Sequence, residues 1–245
     1  MKEHFNIFTV FEIKQNLKTA VNFFERFDTA NTTPLYTLSD LGKLNNISPA
    51  LLATILLRFE KEFNHEHEYD AEDFDGYTIK ELLTYIEITH EFYKKERMKR
   101  IERIIFNLEK GVGGANPFTD LLYQSYIEFR QFLFQHLQHE EEVLFSYTEG
   151  LLAFSTHIFK DEYSFLKSKL PECFLHTHNR ETDFNLFQVF TLVPSQFYNI
   201  DTTEDLMNLE TELKSFKIDL DVHAWIEEEV LIPKIIDLRN KLFNQ

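Results

Sequence analysis

The sequence predicts an all-α protein, an antiparallel four-helix bundle preceded by a small N-terminal helical domain. Glycine and proline are scarce, with 6 of each in 245 residues, so long stretches contain no helix breaker. Apolar residues recur at intervals of three and four, and no segment alternates convincingly as a strand would. The composition is 43% hydrophobic and includes 26 Phe, which is ample for a helical core.

Short helices are expected in the N-terminal quarter of the chain. Apolar positions follow helical spacing over residues 5–28, and two further helices are predicted at 38–44 and 49–62. Ser48 is placed to cap the last of these, with Pro49 at the first helical position. An acidic stretch nearly free of aliphatic residues follows. Three parts are therefore predicted: residues 1–63 as a small helical domain, 64–77 as an acidic linker and 78–245 as the bundle.

Four longer helices are predicted after the linker. Thr78 and Glu81 have the spacing of a capping box at the start of the first helix. Asn116-Pro117 opens the second helix, and Pro233 is expected to bend the fourth. An additional short helix is expected over 150–169. The four predicted helices run from Ile79 to the glycines at 111–114, from Pro117 to about Tyr147, from about Pro171 to Val193, and from about Thr203 towards Phe243.

An internal repeat lies in the second and fourth of these helices. Residues 129–144 read FRQFLFQHLQHEEEVL, residues 216–231 read FKIDLDVHAWIEEEVL, and eight of the sixteen positions are identical without a gap. Ordinary residue usage gives about one match by chance. One structural unit is therefore used twice, as a pair of two-helix halves.

Each copy places a histidine and a glutamate four residues apart on an apolar helical stripe. The pairs are His136 with Glu140 and His223 with Glu227. A buried carboxylate is costly unless it is paired or bound to a cation, so the pairs indicate a metal site. The competing interpretation is a solvated acidic face. That interpretation is assigned to the neighbouring glutamates 141, 142, 228 and 229.

One histidine lies upstream of each pair at a matching distance. His90 precedes His136 by 46 residues, and His178 precedes His223 by 45. The matching offsets make each a predicted metal ligand, although either alone would more often be a core histidine. His176 is a weaker alternative to His178, and His139 is a weaker candidate because its repeat partner is Ile226.

The predicted donors are four imidazoles and two carboxylates, converging from four helices. The six residues are His90, His136, Glu140, His178, His223 and Glu227. A thiolate-free set of this kind suits a pair of iron ions. Each carboxylate would bridge both metals, an oxo or hydroxo group would add a further bridge, and an open position would make the centre reactive.

These residues resemble the hemerythrin-like, HHE-type cation-binding domains, and in particular the iron–sulfur cluster repair (RIC) family. The family motif, His-x-x-x-Glu-Glu-x-[Ile/Val]-Leu-Phe-Pro, occurs twice with a lone histidine before each copy. This chain has HLQHEEEVLF from His136 and HAWIEEEVLIP from His223. The resemblance implies a di-iron protein, rather than a classical metabolic enzyme, that repairs or protects iron–sulfur clusters under nitrosative or oxidative stress. Its implied partners are nitric oxide or O2 and damaged iron–sulfur proteins.

The chain departs from that family in its N-terminal domain. The family carries adjacent cysteines there, whereas residues 31–35 of this chain read NTTPL and its one cysteine is Cys173. Repair steps that need those thiols are therefore in question. An O2 or NO sensor without repair activity is the alternative function, and a purely structural bundle without metal is a third interpretation.

The charge balance restricts the partners further. Acidic residues outnumber basic ones by 41 to 25, which gives a formal net charge of −16. Such a surface repels phosphate backbones and anionic lipids, so neither nucleic acid nor membrane is an expected partner. Charges interrupt the N-terminal segment, which lacks a signal peptide's apolar core, and a cytoplasmic protein is expected. The oligomeric state is left open, and a dimer is compatible with the pattern.

Overall fold

The computed structural model describes residues 8–27, 35–66, 70–111, 116–156, 166 and 203–243. Regular structure in these ranges is helical, apart from an isolated bridge between Thr9 and Thr37. The all-α prediction is therefore confirmed for the described part of the chain. Among the same residues, no helix combines the length and the hydropathy needed to cross a membrane.

The N-terminal helices pack together before the long helices begin. The single helical stretch expected over 5–28 is instead two short helices, because Leu17 adopts an extended conformation that ends the first of them. Ser48 caps the fourth helix as predicted, since its side chain accepts a hydrogen bond from the N–H of Leu51. The four helices are α1 (Val10–Asn16), α2 (Ala20–Glu25), α3 (Leu38–Asn45) and α4 (Pro49–Phe63).

Three long helices follow, and each contains one π-helical segment. The capping box of Thr78 and Glu81 starts the first long helix, and Asn116 caps the second, as predicted. The first consists of α5 (Ile79–Phe92), π1 (Tyr93–Arg97) and α6 (Met98–Gly111). The second consists of α7 (Pro117–His139), π2 (Glu140–Phe145) and α8 (Ser146–Thr156). The third consists of α9 (Thr203–Trp225), π3 (Ile226–Leu231) and α10 (Ile232–Phe243).

Several boundaries differ from the sequence expectation or cannot be compared with it. The second long helix continues to Thr156, beyond the predicted end near Tyr147. The helix expected over 171–193 lies outside the described residues. The predicted linker contains a short 3₁₀ helix, Ala71–Phe74, and Phe74 is buried against the ring of Trp225 at 5.6 Å. The division into two domains and a linker stays a prediction.

The long helices place two apolar clusters end to end. One cluster joins the N-terminal helices to the start of α5, to α8 and to π3, and the other joins α6, α7 and the first half of α9. The first and third long helices run antiparallel, because Tyr93 contacts Asp219 while Arg97, further along its helix, contacts Glu212. The layer between the two clusters contains the polar residues described next.

Candidate metal centre

Three buried polar side chains meet where the two apolar clusters adjoin. His90 comes from α5, Glu140 from the first turn of π2 and His223 from α9, and their exposed fractions are 0%, 5% and 3%. One ligand atom from each residue lies within 4.8 Å of the others. Nε2 of His90 is 3.4 Å from Oε2 of Glu140, and the rings of His90 and His223 are 5.0 Å apart between centroids. This group can hold a metal ion.

The other members of the two His/Glu pairs extend this group on both sides. Nε2 of His136 lies 2.8 Å from Oε1 of Glu140, and Nε2 of His223 lies 3.6 Å from Oε2 of Glu227. Glu227 is 1% exposed. Contacts therefore run from His136 through Glu140, His90 and His223 to Glu227, and five of the six predicted ligands lie in one continuous cluster.

The π-helical segments coincide with the candidate ligands. Glu140 begins π2, Glu227 is the second residue of π3, and π1 begins three residues after His90. A π turn closes an i→i+5 hydrogen bond and is widened by one residue, and such turns are frequent at functional sites. In this protein the widened turns set the directions in which the glutamates of each EEE run project.

Glu141 contacts the Nδ1 side of the His90 ring. Its Oε1 lies 3.0 Å from Nδ1 of His90, and Nζ of Lys94 donates to both of its oxygens at 2.7 and 2.9 Å. The hydrogen bond with His90, together with Lys94, lowers the pKa of Glu141 to about 2. An ionised carboxylate only accepts, so Nδ1 of His90 donates in this contact, and a neutral ring with this tautomer carries its lone pair on Nε2. Metal-binding histidines are commonly oriented in this way.

A buried ion pair lies one helical turn before His223. Asp219 accepts both hydrogen bonds of an Arg26 Nη2 group at 2.9 and 3.0 Å, and both side chains are fully buried. Tyr93 donates to the same carboxylate at 2.8 Å, and its ring is 5.8 Å from the ring of His223. Burial and the nearby Asp219 charge raise the pKa of Tyr93 well above its ordinary value, so its hydroxyl stays protonated.

The donor chemistry of the cluster fits a divalent cation. Glu140 and Glu227 bring two carboxylates into a layer bordered by apolar side chains, where ionised groups are costly without a counter-charge. Nε2 of His90 is buried and makes no hydrogen bond to any described residue. Its lone pair faces Glu140 and His223. Imidazole nitrogen and carboxylate oxygen without thiolate suit iron and related transition metals.

The remaining candidates from the sequence are placed as follows. His178, its alternative His176, and Cys173 lie outside the described residues, so the sixth ligand stays a prediction. His139 is exposed, which agrees with its being a weaker candidate than His136. Trp225 packs against Phe74, and the guanidinium of Arg58 lies 4.8 Å from the centre of the Trp225 ring.

The assignment of Glu141 to a solvated face was wrong. Glu141 is half-buried and orients His90, and Glu228 is half-buried as well, whereas Glu142 and Glu229 are exposed as expected. Regular α-helical periodicity does not distinguish among three consecutive glutamates when the helix changes to π geometry at the first of them. The roles of Arg26 and Asp219 were also missed. No local pattern connects them, because they are 193 residues apart in sequence.

No protein-family model, no curated protein and no solved structure matches this chain. The resemblance to hemerythrin-like domains therefore depends on the repeated motif and its upstream histidines.

Proposed function

We propose that this protein is a hemerythrin-like, non-haem di-iron protein that repairs or protects iron–sulfur clusters in the cytoplasm under nitrosative or oxidative stress. The observation that carries the proposal is the buried cluster of His90, Glu140 and His223, in which Glu140 and His223 come from the two copies of the duplicated segment. The three long helices would form a four-helix bundle together with the helix predicted over 171–193. His178 from that helix would complete the ligand set.

Two metal ions account for the full set of donors better than one. His136 and Glu140 lie at one end of the cluster, and His223 and Glu227 lie at the other. Each end would hold one iron, with His90 and His178 as further ligands. When bound, such a pair supplies Lewis acidity and one-electron redox chemistry towards a small ligand such as nitric oxide or O2.

The residues of the chain have separate roles in this centre. Glu141 keeps Nδ1 of His90 protonated, so that Nε2 presents its lone pair to the metal. Phe145 stacks on the ring of His90 at 5.2 Å and excludes water from that side. His136 is the most exposed of the five described candidates, with 28% of its side chain accessible. Small ligands would therefore approach past His136.

Iron content per chain tests the metal assignment. The protein is loaded anaerobically with Fe²⁺, desalted and assayed colorimetrically, and we expect about two irons per chain. His136→Ala should lower the iron content, whereas the matched variant His139→Ala, three residues away and exposed, should keep it. Well under two irons in the wild-type chain, or equal loss in both variants, would refute the assignment.

A sensor function is the second candidate, and the buried contact between the N-terminal helices and the centre favours it. Arg26 of the N-terminal part binds Asp219, one turn before His223, so a change at the metal can reach those helices. The absence of paired cysteines in residues 31–35 favours it as well. Purified iron-loaded protein is added to a nitric-oxide-damaged iron–sulfur enzyme. Recovered activity supports repair, and unchanged activity supports the sensor.

A further inference from the structure

Arg26 is completely enclosed, and each of its five N–H donors has an acceptor. The fully buried guanidinium lies 5.1 to 5.8 Å from the rings of four aromatic residues. Its acceptors are the carbonyl of Phe23 at 3.0 Å, the hydroxyls of Tyr85 at 2.7 Å and Thr89 at 3.0 Å, and both oxygens of Asp219 at 2.9 and 3.0 Å. A buried charge is tolerated only when it is paired and hydrogen-bonded in this way.

The side-chain acceptors of Arg26 belong to the two helices that carry His90 and His223. Thr89 directly precedes His90, Tyr93 follows it by three residues, and Asp219 precedes His223 by four residues. Tyr93 and Arg26 share the carboxylate of Asp219, and this joins α5 and π1 to α9 one turn below the candidate ligands. Arg26 therefore links the N-terminal helices to two ligand-bearing helices at once.

The other copy of the repeat has no equivalent of this link. The position of Asp219 is occupied there by Phe132, whose ring stacks on His136 at 6.2 Å.

A second buried arginine, Arg97, contacts Glu25, Glu212 and Ser215. It is seven residues beyond His90, about 10 Å along the helix. Arg97 thus also joins α2 to α9, but at a distance from the candidate ligands.

We propose that Arg26, Asp219 and Tyr93 are positioning residues of the metal centre, through which metal binding and docking of the N-terminal helices stabilise each other. This inference rests on the proposed metal-binding function. The shared carboxylate fixes the spacing of α5 and α9, and that spacing sets the distance between His90 and His223. Because coupling between two binding equilibria is reciprocal, a bound metal in turn tightens the docking of α2.

Metal affinity of matched arginine variants tests the proposal. Wild type, Arg26→Met and Arg97→Met are titrated anaerobically with Co²⁺, whose visible absorption reports the ligand geometry. Both substitutions remove a buried guanidinium that contacts α2 and α9, so both should lower Tm. We expect Arg26→Met to bind Co²⁺ about tenfold more weakly, with an altered spectrum, and Arg97→Met to stay within about twofold of wild type.

Tyr93→Phe is a milder variant that keeps the protein folded, because it removes one hydroxyl. We expect it to weaken Co²⁺ binding about threefold, below the effect of Arg26→Met. Amide exchange in residues 20–25 supplies the reciprocal measurement. Co²⁺ should slow this exchange in wild type and Arg97→Met, and should slow it much less in Tyr93→Phe.

The outcomes separate this inference from the proposed function. Wild-type protein that binds no Co²⁺ or Fe²⁺ overturns the proposed function, and the inference with it. Wild-type protein that binds metal normally, while Arg26→Met and Tyr93→Phe keep its affinity, overturns the inference alone. Equal affinity losses in Arg26→Met and Arg97→Met show a general structural effect and also overturn it.

Discussion

The two copies of the repeat present the same His/Glu pair in different surroundings. In the first copy, 28% of the His136 side chain is exposed and Phe132 stacks on it. In the second copy, 3% of the His223 side chain is exposed, and Asp219 at the position equivalent to Phe132 binds Arg26 and Tyr93. Identical donors therefore lie in an accessible half and in an enclosed half of one cluster.

This difference shows that two copies of one segment can lie in different environments within a single cluster. The ligand pair is common to both copies, whereas the residue one turn earlier determines what lies behind the histidine. In the first copy this residue is Phe132, which stacks on a partly exposed histidine, and in the second it is Asp219, which binds Arg26 from a distant part of the chain. One half of the cluster is therefore accessible from solvent, and the other is enclosed.

The largest expected effect comes from removing the histidine of each half in turn. His223→Ala removes a member of the buried group of three, so we expect its metal affinity to fall about 100-fold or more. His136→Ala keeps that group, and we expect it to retain about one metal ion per chain. Equilibrium dialysis with Co²⁺ measures both. Retention of two ions by His223→Ala would contradict the assignment of this half.

A smaller loss is expected from Glu141→Gln. The amide accepts less strongly from Nδ1 of His90 and no longer pairs with Lys94, so the orientation of the ring is less well fixed. We expect metal binding to weaken about tenfold. Glu142→Gln is the control, because Glu142 is exposed and contacts Gln138 at 2.7 Å. Equal effects of the two variants would rule out a role for Glu141 in orienting His90.

Chemical modification compares the accessibility of the two halves directly. Diethyl pyrocarbonate reacts with exposed neutral imidazole, so in metal-free protein we expect His136 to react several-fold faster than His90 and His223, in line with their exposed fractions. Peptide mass spectrometry gives the individual rates, and the exposed His139 supplies a reference. Metal should protect His136. Faster reaction of His223 than of His136 would contradict the description of His136 as the accessible histidine and His223 as the enclosed one.

The smallest effect is expected on stability, from substituting Glu81 at the start of the helix that carries His90. Burial alone would raise the pKa of Glu81, but hydrogen bonds from Thr78 and Ser48 lower it below its usual 4.5. Its stabilising contribution is therefore present above about pH 4.5 and is lost as the pH falls through the lowered value.

Denaturation of Glu81→Gln against wild type measures this contribution. We expect a loss of about 1 kcal/mol in the free energy of unfolding at pH 7. The difference should shrink in acid, while metal affinity at pH 7 stays unchanged. A stability difference between the two proteins that grows in acid would contradict the predicted lowering of the Glu81 pKa.

Local signals predicted much of the helical structure. Thr78 with Glu81, Ser48 and Asn116 correctly marked helix starts, because a cap is made by residues within one turn of each other. The duplicated His-x-x-x-Glu spacing likewise brought His136, Glu140, His223 and Glu227 into consideration. These side chains lie in one contiguous cluster with His90.

Features that depend on distant residues could not be predicted in this way. The extended Leu17 interrupts an apolar stripe whose spacing is otherwise helical. Arg26 and Asp219 are ordinary charged residues until folding encloses them together. The role of Glu141 depends on a widened turn for which the EEE run has no distinguishing signal, because the same letters occur in regular helices.

The π turns have a consequence for anyone who transplants or redesigns this centre. Each turn includes one residue more than an α turn, and residues in a regular helix are about 100° apart in rotation. Deleting a single residue within Glu140–Phe145 would restore regular winding and leave the helix beyond it in nearly its present rotation, because the π turn already contains the extra residue. Tyr147 would then keep its present partner. Deleting a residue from a regular α-helical part would instead rotate everything beyond it by about 100°. The π turns are thus the places where the long helices can lose one residue with the least change beyond them.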